Sequence, residues 1–174
     1  MKLTAKSANF LVTEYRKIYN LLKSAFPKNE QTPLFLLLLG AILKNMRFTV
    51  FYNADEFAGF LYSIENDKYY FILYIAVNPQ LRSRGCGGAI LDYAYGQAAG
   101  KNIVLNVEPL DPDSDNYKQR QRRIAFYEKH GIRNTGYMFY DKEVPYSVLA
   151  SDASMFNPEE YGAMLRVHLI TAEI

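Results

Sequence analysis

The run "YYFILYIAV", residues 69 to 77, constrains the fold more than any other part of the chain. It is apolar almost throughout, so neither of its faces suits water. A strand of that kind belongs in the middle of a sheet, covered on both sides. Two aromatic and β-branched runs, "RFTVFY" and "EFAGFLYSI", precede it, separated by the turn-like "NADE" and "ENDK". The three together predict an antiparallel meander. After residue 77 the topology changes. "VNPQLRSRGCGGAILDYAY", residues 77 to 95, is a glycine loop opening a helix that runs to about Ala98, with Gly100 as its C′ residue. "NIVLNV" is then another strand. Strand, helix and strand in that order imply a right-handed crossover and parallel pairing. The predicted fold class is therefore α/β with a mixed (α+β) sheet: an antiparallel meander plus a parallel crossover, flanked by helices.

The remaining elements are read from period and punctuation. Phe10, Tyr15, Ile18, Leu22 and Ala25 predict a helix over residues 7 to 26, ended by Pro27. A second helix is expected from "TPLFLLLL" to about Asn45, with Thr32 as N-cap and Pro33 in the first turn. "PLDPDSD" is a loop. Residues 115 to 130 predict a helix with an acidic first turn, Lys129 and His130 in the last, and Gly131 closing it. "GYMFYDK" and "YSVLAS" predict a hairpin. "NPEEYGAMLRVHL" predicts a final helix capped by Asn157.

Composition narrows the function classes. The chain of 174 residues, 49% hydrophobic, suits one domain spanning residues 1–174. A net charge of +2 argues against nucleic acid or an acidic membrane as main partner. The lone Cys86 excludes an internal disulfide and a cysteine-based zinc site, and fits a reducing compartment. His130 and His168 have no metal-ligand spacing, so no metal is expected. The N-terminus has no apolar core of signal-peptide length. The apolar run 33 to 43 is roughly half the ~20 residues a bilayer requires. The expected location is the cytoplasm.

The glycine loop is where chemistry is expected. A helix N-terminus offers unpaired N–H groups and partial positive charge. Gly85, Gly87 and Gly88 let a phosphate approach without a Cβ in the way. Arg82 and Arg84 add charge in a geometry suited to phosphate. A pyrophosphate on residues 82 to 88 is one reading; a tight turn with solvated arginines is the other. Neither G-x-x-x-x-G-K-[ST] nor G-x-G-x-x-G is present.

"LRSRGCGGAIL" resembles motif A, [RQ]-x-x-G-x-[GA], of the GNAT superfamily of acetyl-CoA-dependent N-acetyltransferases. Arg82, Gly85 and Gly87 match its fixed positions. "IAFYEKHGI" resembles the family's motif B helix, with Ile124, Tyr127, Lys129 and Gly131 matching. The order of elements is similar over nearly the whole chain. The resemblance implies acetyl-CoA as cosubstrate and an amine, small-molecule or peptide, as acceptor. It assigns Ile75, Val77, Arg82, Arg84, Gly85, Gly87 and Gly88 to the coenzyme. The chain carries Arg120 where many members have Asn, and Arg123 where Ala is usual; Asn116, one turn earlier, is the candidate substitute for contacts to the pantetheine arm.

Acetyl transfer to an amine raises two proton problems. Deprotonating a lysine-like ammonium at neutral pH costs about 4.6 kcal/mol, from a reference pKa near ~10.4. The departing thiolate also benefits from an acid. Tyr127 matches the family's usual acid by position; its alternative role is an aromatic anchor. For the base, the strand before motif A has no carboxylate, and Glu108 and Glu65 at strand ends are the candidates. Cys86 as an acyl carrier is a lesser one. "KQRQRR", residues 118 to 123, is a solvated helix face or a contact for the adenosine 3′-phosphate. Two rival functions are an acyl-CoA-binding module of the same fold without catalysis, and a nucleic-acid-binding protein using the basic run.

Overall fold

The computed structural model describes residues 2–9, 14–42 and 45–169, with side chains through 166. Its elements are β1 (Thr4–Ser7), α1 (Tyr15–Ala25), α2 (Leu34–Gly40), β2 (Met46–Asn53), β3 (Glu56–Glu65), β4 (Tyr69–Val77), α3 (Cys86–Ala98), β5 (Asn102–Val107), α4 (Tyr117–Lys129), β6 (Arg133–Asp141), β7 (Val144–Ala150) and α5 (Pro158–Leu169). The described strands form a mixed seven-stranded sheet in the order β1-β2-β3-β4-β5-β7-β6. The expected meander is β2–β3–β4, and the expected crossover is β4–α3–β5, with β4 and β5 parallel. β4 is central and buried or half-buried at every position.

Two apolar layers sandwich the sheet. On one face α1, α2 and α5 contribute Ile18, Leu22, Leu37, Leu38, Tyr161 and Leu165 to a cluster with Phe48, Phe60 and Phe71. On the other, α3 and α4 contribute Ile90, Leu91, Ala94 and Tyr127 to a cluster with Phe51, Leu61, Tyr70 and Ile72. The aromatic composition of β2–β4 is thereby used on both sides.

The first and last thirds of the chain differ from expectation in instructive ways. Thr4–Ser7 is a strand: it pairs antiparallel with β2, from Thr4↔Tyr52 to Ser7↔Thr49. "TAKS" carries no strand pattern; the free backbone edge of β2 selects it. The helix expected from residue 7 starts at Tyr15, and Phe10 lies outside the described residues. The Tyr52 hydroxyl donates to Glu14 at 2.7 Å, just ahead of that start. α2 is shorter than expected and begins after Pro33, whose position is the N-cap. Thr32 caps nothing: its N–H donates to the Tyr74 hydroxyl at 3.1 Å and its own hydroxyl pairs with it at 3.0 Å. Residues 43 and 44, inside the predicted end of that helix, also lie outside the described residues. Among the described residues no helix is long and apolar enough to cross a membrane. α4 has no acidic residue in its first turn, because the aspartates of 111–115 precede its N-cap Asn116. The final helix is as expected, with the Asn157 side chain accepting from the N–H groups of Glu159 and Glu160.

One irregularity in β4 positions the site. The β3–β4 register runs Glu65↔Tyr70, Ile64↔Phe71 and Ser63↔Ile72, then resumes at Tyr62↔Tyr74. Leu73 is therefore an extra residue, a β-bulge. It reverses the phase of β4. Tyr69 and Phe71 face the α1/α2/α5 layer and Tyr70 and Ile72 the α3/α4 layer; past the bulge, Tyr74 and Ala76 face the first layer and Ile75 and Val77 the second.

Gly59 allows β3 and β4 to lie close in this region. A Cβ there would overlap the Ala76 carbonyl oxygen and stand 3.1 Å from Val77 Cα, both backbone atoms that cannot swing aside. Gly59→Ala should cost about 1–3 kcal/mol, the usual range for overpacking. Urea unfolding will show this as a lowered midpoint with an unchanged slope.

Candidate active site

β4 and β5 pair for only four residues, Tyr69↔Asn102 to Ile72↔Leu105. Beyond Ile72, at the bulge, they part. β4 stays with β3 as far as Gly59↔Val77, and β5 stays with β7 as far as Val107↔Ser147. The β4 backbone groups that face β5 past this point have lost a strand partner. The parting opens a cleft of about 360 Å³, lined by Tyr74 and Ile75 of β4 and by Asn106 and Glu108 at the end of β5. Tyr127, Arg123, Tyr146 and Glu30 complete its walls.

The glycine loop lies beyond the end of β4, where a Cβ on Gly87 would come within 3.8 Å of the Val77 side chain. Ser83 (φ 61°) and Gly85 (φ 85°) are left-handed, and Gly85 is the N-cap of α3. The first helical hydrogen bond runs from Ala89 N–H to the Gly85 carbonyl at 3.1 Å. The preceding N–H groups of the first turn point outward, as at any helix start. Arg82 and Arg84 are exposed beside them, Arg82 Nε donating to the Val77 carbonyl at 3.4 Å. The three glycines serve different ends. A Cβ on Gly85 would meet nothing, so its freedom is needed for the turn. A Cβ on Gly87 would stand 3.1 Å from the Phe126 ring, and one on Gly88 2.8 Å from His130 Nε2. These two let α3 pack against α4. Ile75 and Val77 are half-buried on the α3/α4 side, below the loop.

Tyr127 projects from α4 into the same side. The residue is 6% exposed, packs edge-on to Phe126, and borders the cleft. Burial pushes its phenol up to about 12, with Arg123 opposing. The hydroxyl is therefore protonated throughout the physiological range.

Glu108 is at the end of β5 as expected, but it is not an open carboxylate. Arg120 lies 3.2 Å from Oε1 and Arg123 3.0 Å from Oε2. The Asn116 amide donates to both oxygens, at 3.2 and 3.4 Å, and its own oxygen accepts from Arg120 Nε at 2.7 Å. Arg120 also donates to the Pro109 carbonyl at 2.8 Å. Both ends of the Asn116 amide are thus committed inside this network. The two arginines that depart from motif B are its cations, and the basic run divides: Arg120 and Arg123 turn inward, while Lys118 and Arg122 are exposed.

Other sequence candidates are placed elsewhere. Glu65 pairs with Tyr70 at the start of β4, the far end from the cleft. It holds Arg47 at 2.7 Å and Lys101 at 2.8 Å; burial pushes its carboxyl up, and these hydrogen bonds outweigh that and hold it below the usual value. It is a structural ion pair. Cys86 is buried beneath the loop. His130 pairs through Nδ1 with the Phe126 carbonyl at 2.7 Å and fills the gap above Gly88. The side chain of His168 lies outside the described residues.

One further residue, which no sequence signal singles out, stands in the cleft. Glu30, in the short 3₁₀ turn Lys28–Glu30 between α1 and α2, accepts from the Tyr146 hydroxyl at 2.8 Å. No spacing rule links a turn residue to a strand residue so far along the chain.

A mixed sheet parted at a parallel joint, with a helix opening beside the parting and a tyrosine within it, defines an acyl-CoA N-acyltransferase fold. Residues 44–132, more than half of the chain, match the acetyltransferase (GNAT) domain family, and the chain belongs to it. Among solved structures, a GNAT-family protein from Bacteroides thetaiotaomicron aligns with a TM-score of 0.74 at 24% identity, over 98% of this chain and 99% of that one. An aminoglycoside 6'-N-acetyltransferase complexed with coenzyme A aligns at 0.64 and 16% identity, over 89% of this chain and 99% of that one. A GNAT family acetyltransferase from Elizabethkingia anophelis with acetyl-CoA bound aligns at 0.59 and 17%, over 85% and 96%. At such identities the likeness is one of fold. No curated protein sequence matches the chain.

The Glu108 network gives a stability prediction. Glu108→Ala leaves two largely buried guanidinium groups facing each other without a counter-charge. The loss should be about 3 kcal/mol, at the low end for breaking a buried pair because Arg123 is 29% exposed. Replacing Arg123 as well should recover part of it in a double-mutant cycle read by denaturant unfolding.

Proposed function

We propose that this protein transfers the acetyl group of acetyl-CoA directly to a primary amine. The observation that carries the reading is the cleft where β4 leaves β5. Beyond it β4 runs on to the glycine loop and the first turn of α3, and its own walls carry the polar groups Glu30, Glu108, Arg123 and Tyr146. The first-turn N–H groups of α3, with Arg82 and Arg84, offer a pyrophosphate both dipole and charge. The edge of β4 around Ile75, which has no strand partner on the β5 side, can hydrogen-bond an extended amide-bearing arm as a neighbouring strand would. Gly85 gives the turn, and Gly87 and Gly88 seat α3 so that the loop sits over that arm. Tyr127 supplies a protonated hydroxyl where a thioester held this way would lie, and donates to the departing sulfur.

Glu108 enters this reading differently from an open strand-end base. Its two oxygens are held by Asn116, Arg120 and Arg123, so it anchors the two arginines at the cleft wall. Support for a small-molecule amine as acceptor comes from the size of the cleft and from the aminoglycoside acetyltransferases among the structural neighbours.

Three measurements test the proposal. Acetyl-CoA should raise the melting temperature in step with the logarithm of its concentration, adding about 2.7 kcal/mol of stability at a hundredfold excess over Kd. No rise at millimolar ligand ends the reading. Arg82→Ala should weaken coenzyme A and acetyl-CoA alike, by about 1.5–3 kcal/mol, and leave binding of a phosphate-free pantetheine fragment unchanged. Tyr127→Phe removes one oxygen and keeps the ring. It should preserve acetyl-CoA affinity and lower turnover by roughly 10²–10⁴. A variant with full rate makes Tyr127 a core anchor, and a wild type that binds acetyl-CoA without acetylating any amine makes the protein a binding module.

A further inference from the structure

We propose that Glu30 receives the ammonium group of the acceptor and takes its proton, so that the turn between α1 and α2 supplies the base of the reaction and selects a cationic small amine. The inference rests on the acetyl-transfer reading and adds the second substrate to it.

The turn is strapped across the parted strands. On the β4 side, the Tyr74 hydroxyl accepts from the Thr32 N–H, pairs with the Thr32 hydroxyl and donates to the Glu30 carbonyl. On the β7 side, Tyr146 donates to the Glu30 carboxylate at 2.8 Å. Glu30 therefore bridges the two half-sheets at the point where they separate. It does so on the face opposite to α3 and the glycine loop, where Tyr74 and the α1/α2/α5 layer lie. An acceptor meeting Glu30 approaches a thioester in the parting from the side away from the coenzyme's phosphates.

Charge distinguishes Glu30 from the other acidic groups. Glu108 is saturated by two arginines, and Glu65 by Arg47 and Lys101 at the far end of the sheet. Glu30 has no cation within ion-pair distance among the described residues and is half-buried. A half-buried carboxylate without an ion-pair partner favours a ligand that brings a positive charge to it. The groups facing it are Tyr146 from β7, Tyr74 from β4, Glu108 from β5, Arg120 and Arg123 from α4, Asp141 from the end of β6 and Lys142 from the turn that follows it. Burial pushes the Glu30 carboxyl above its ordinary value and the Glu108 charge adds to this; the Tyr146 hydrogen bond and the Arg123 and Arg120 charges oppose it without cancelling it. A raised carboxyl narrows the gap to the ammonium it must deprotonate.

The step balances. Glu30 takes one proton from the ammonium. The freed nitrogen lone pair forms the C–N bond to the thioester carbonyl carbon as the C–S bond breaks, its electron pair leaving with sulfur. The second proton lost from nitrogen ends on the sulfur, by way of the Tyr127 hydroxyl or water, and Glu30 returns its proton to solvent.

The experiment uses the full chain, acetyl-CoA, and a panel of benzylamine, tyramine, spermidine and kanamycin, reading thiol release against pH. Glu30→Gln keeps the Tyr146 hydrogen bond and removes the charge. It should retain the acetyl-CoA thermal shift, melt no lower than wild type, and lose at least about 10² in kcat/KM, the usual worth of a positioned base. Activity requires ionised Glu30, so wild-type kcat/KM should fall as pH drops through a limb above the ordinary glutamate range, and that limb should vanish in Glu30→Gln. Tyr146→Phe removes an interaction that lowers the Glu30 carboxyl, so the limb should move to higher pH. A Glu30→Gln variant with wild-type rate and an unchanged limb overturns the proposal. So does a wild type that shows the acetyl-CoA shift and acetylates nothing in the panel. Absence of the acetyl-CoA shift overturns the acetyl-transfer reading itself and takes Glu30 with it.

Discussion

The extra residue in β4, Leu73, is the feature on which the rest of the site depends. A bulge bends its strand and increases local twist. Here it falls immediately after Ile72, the last residue of β4 that pairs with β5. β4 then stays with β3, and β5 with β7, so one sheet becomes two diverging halves. The bulge also exchanges the faces of the residues beyond it. Tyr74 turns toward α1 and α2, where its hydroxyl holds the Thr32–Glu30 strap, and Ile75 and Val77 turn toward the glycine loop. With a regular β4, Tyr74 would face α3 and the strap would lose its hold.

Packing and hydrogen bonds fix the groups in and beside the cleft. Beyond the end of β4, α3 is seated against α4 by Gly87 and Gly88, which leave room for Phe126 and His130. At the cleft wall, Glu108, Asn116, Arg120 and Arg123 form a network in which each polar group has a partner. On the opposite face, the Tyr161 hydroxyl of α5 donates to Asn106 at 2.8 Å and orients that amide beside the parting. Packing and hydrogen bonding thus hold these groups in place without a ligand, as the proposed positioning of reactants requires.

Much of the architecture was legible because its signals are local. Alternation and aromatic content marked β2–β4, the glycine loop marked α3, and strand–helix–strand order implied the parallel joint that the structure has. The departures share a cause as well. "TAKS" became β1 because an edge of β2 was free to pair with it, and Thr32 left its expected cap for Tyr74, a residue 42 positions away. Arg120 and Arg123 resemble a solvated run until Glu108 is placed opposite them.

Read alone, the sequence marks in spacings of a few residues every described α-helix and strand except β1, together with the family likeness, the glycine loop and Tyr127. Tertiary structure alone decided where β4 bulges, what surrounds Glu108, and that Glu30 meets Tyr146 across a separation of 116 residues. The physical reason is the same in each case. β4 is apolar on both faces, so its pattern carries no phase that would reveal a slipped residue. Charge pairs and hydrogen bonds between distant segments have no periodicity, and exist only once packing has brought their backbones together.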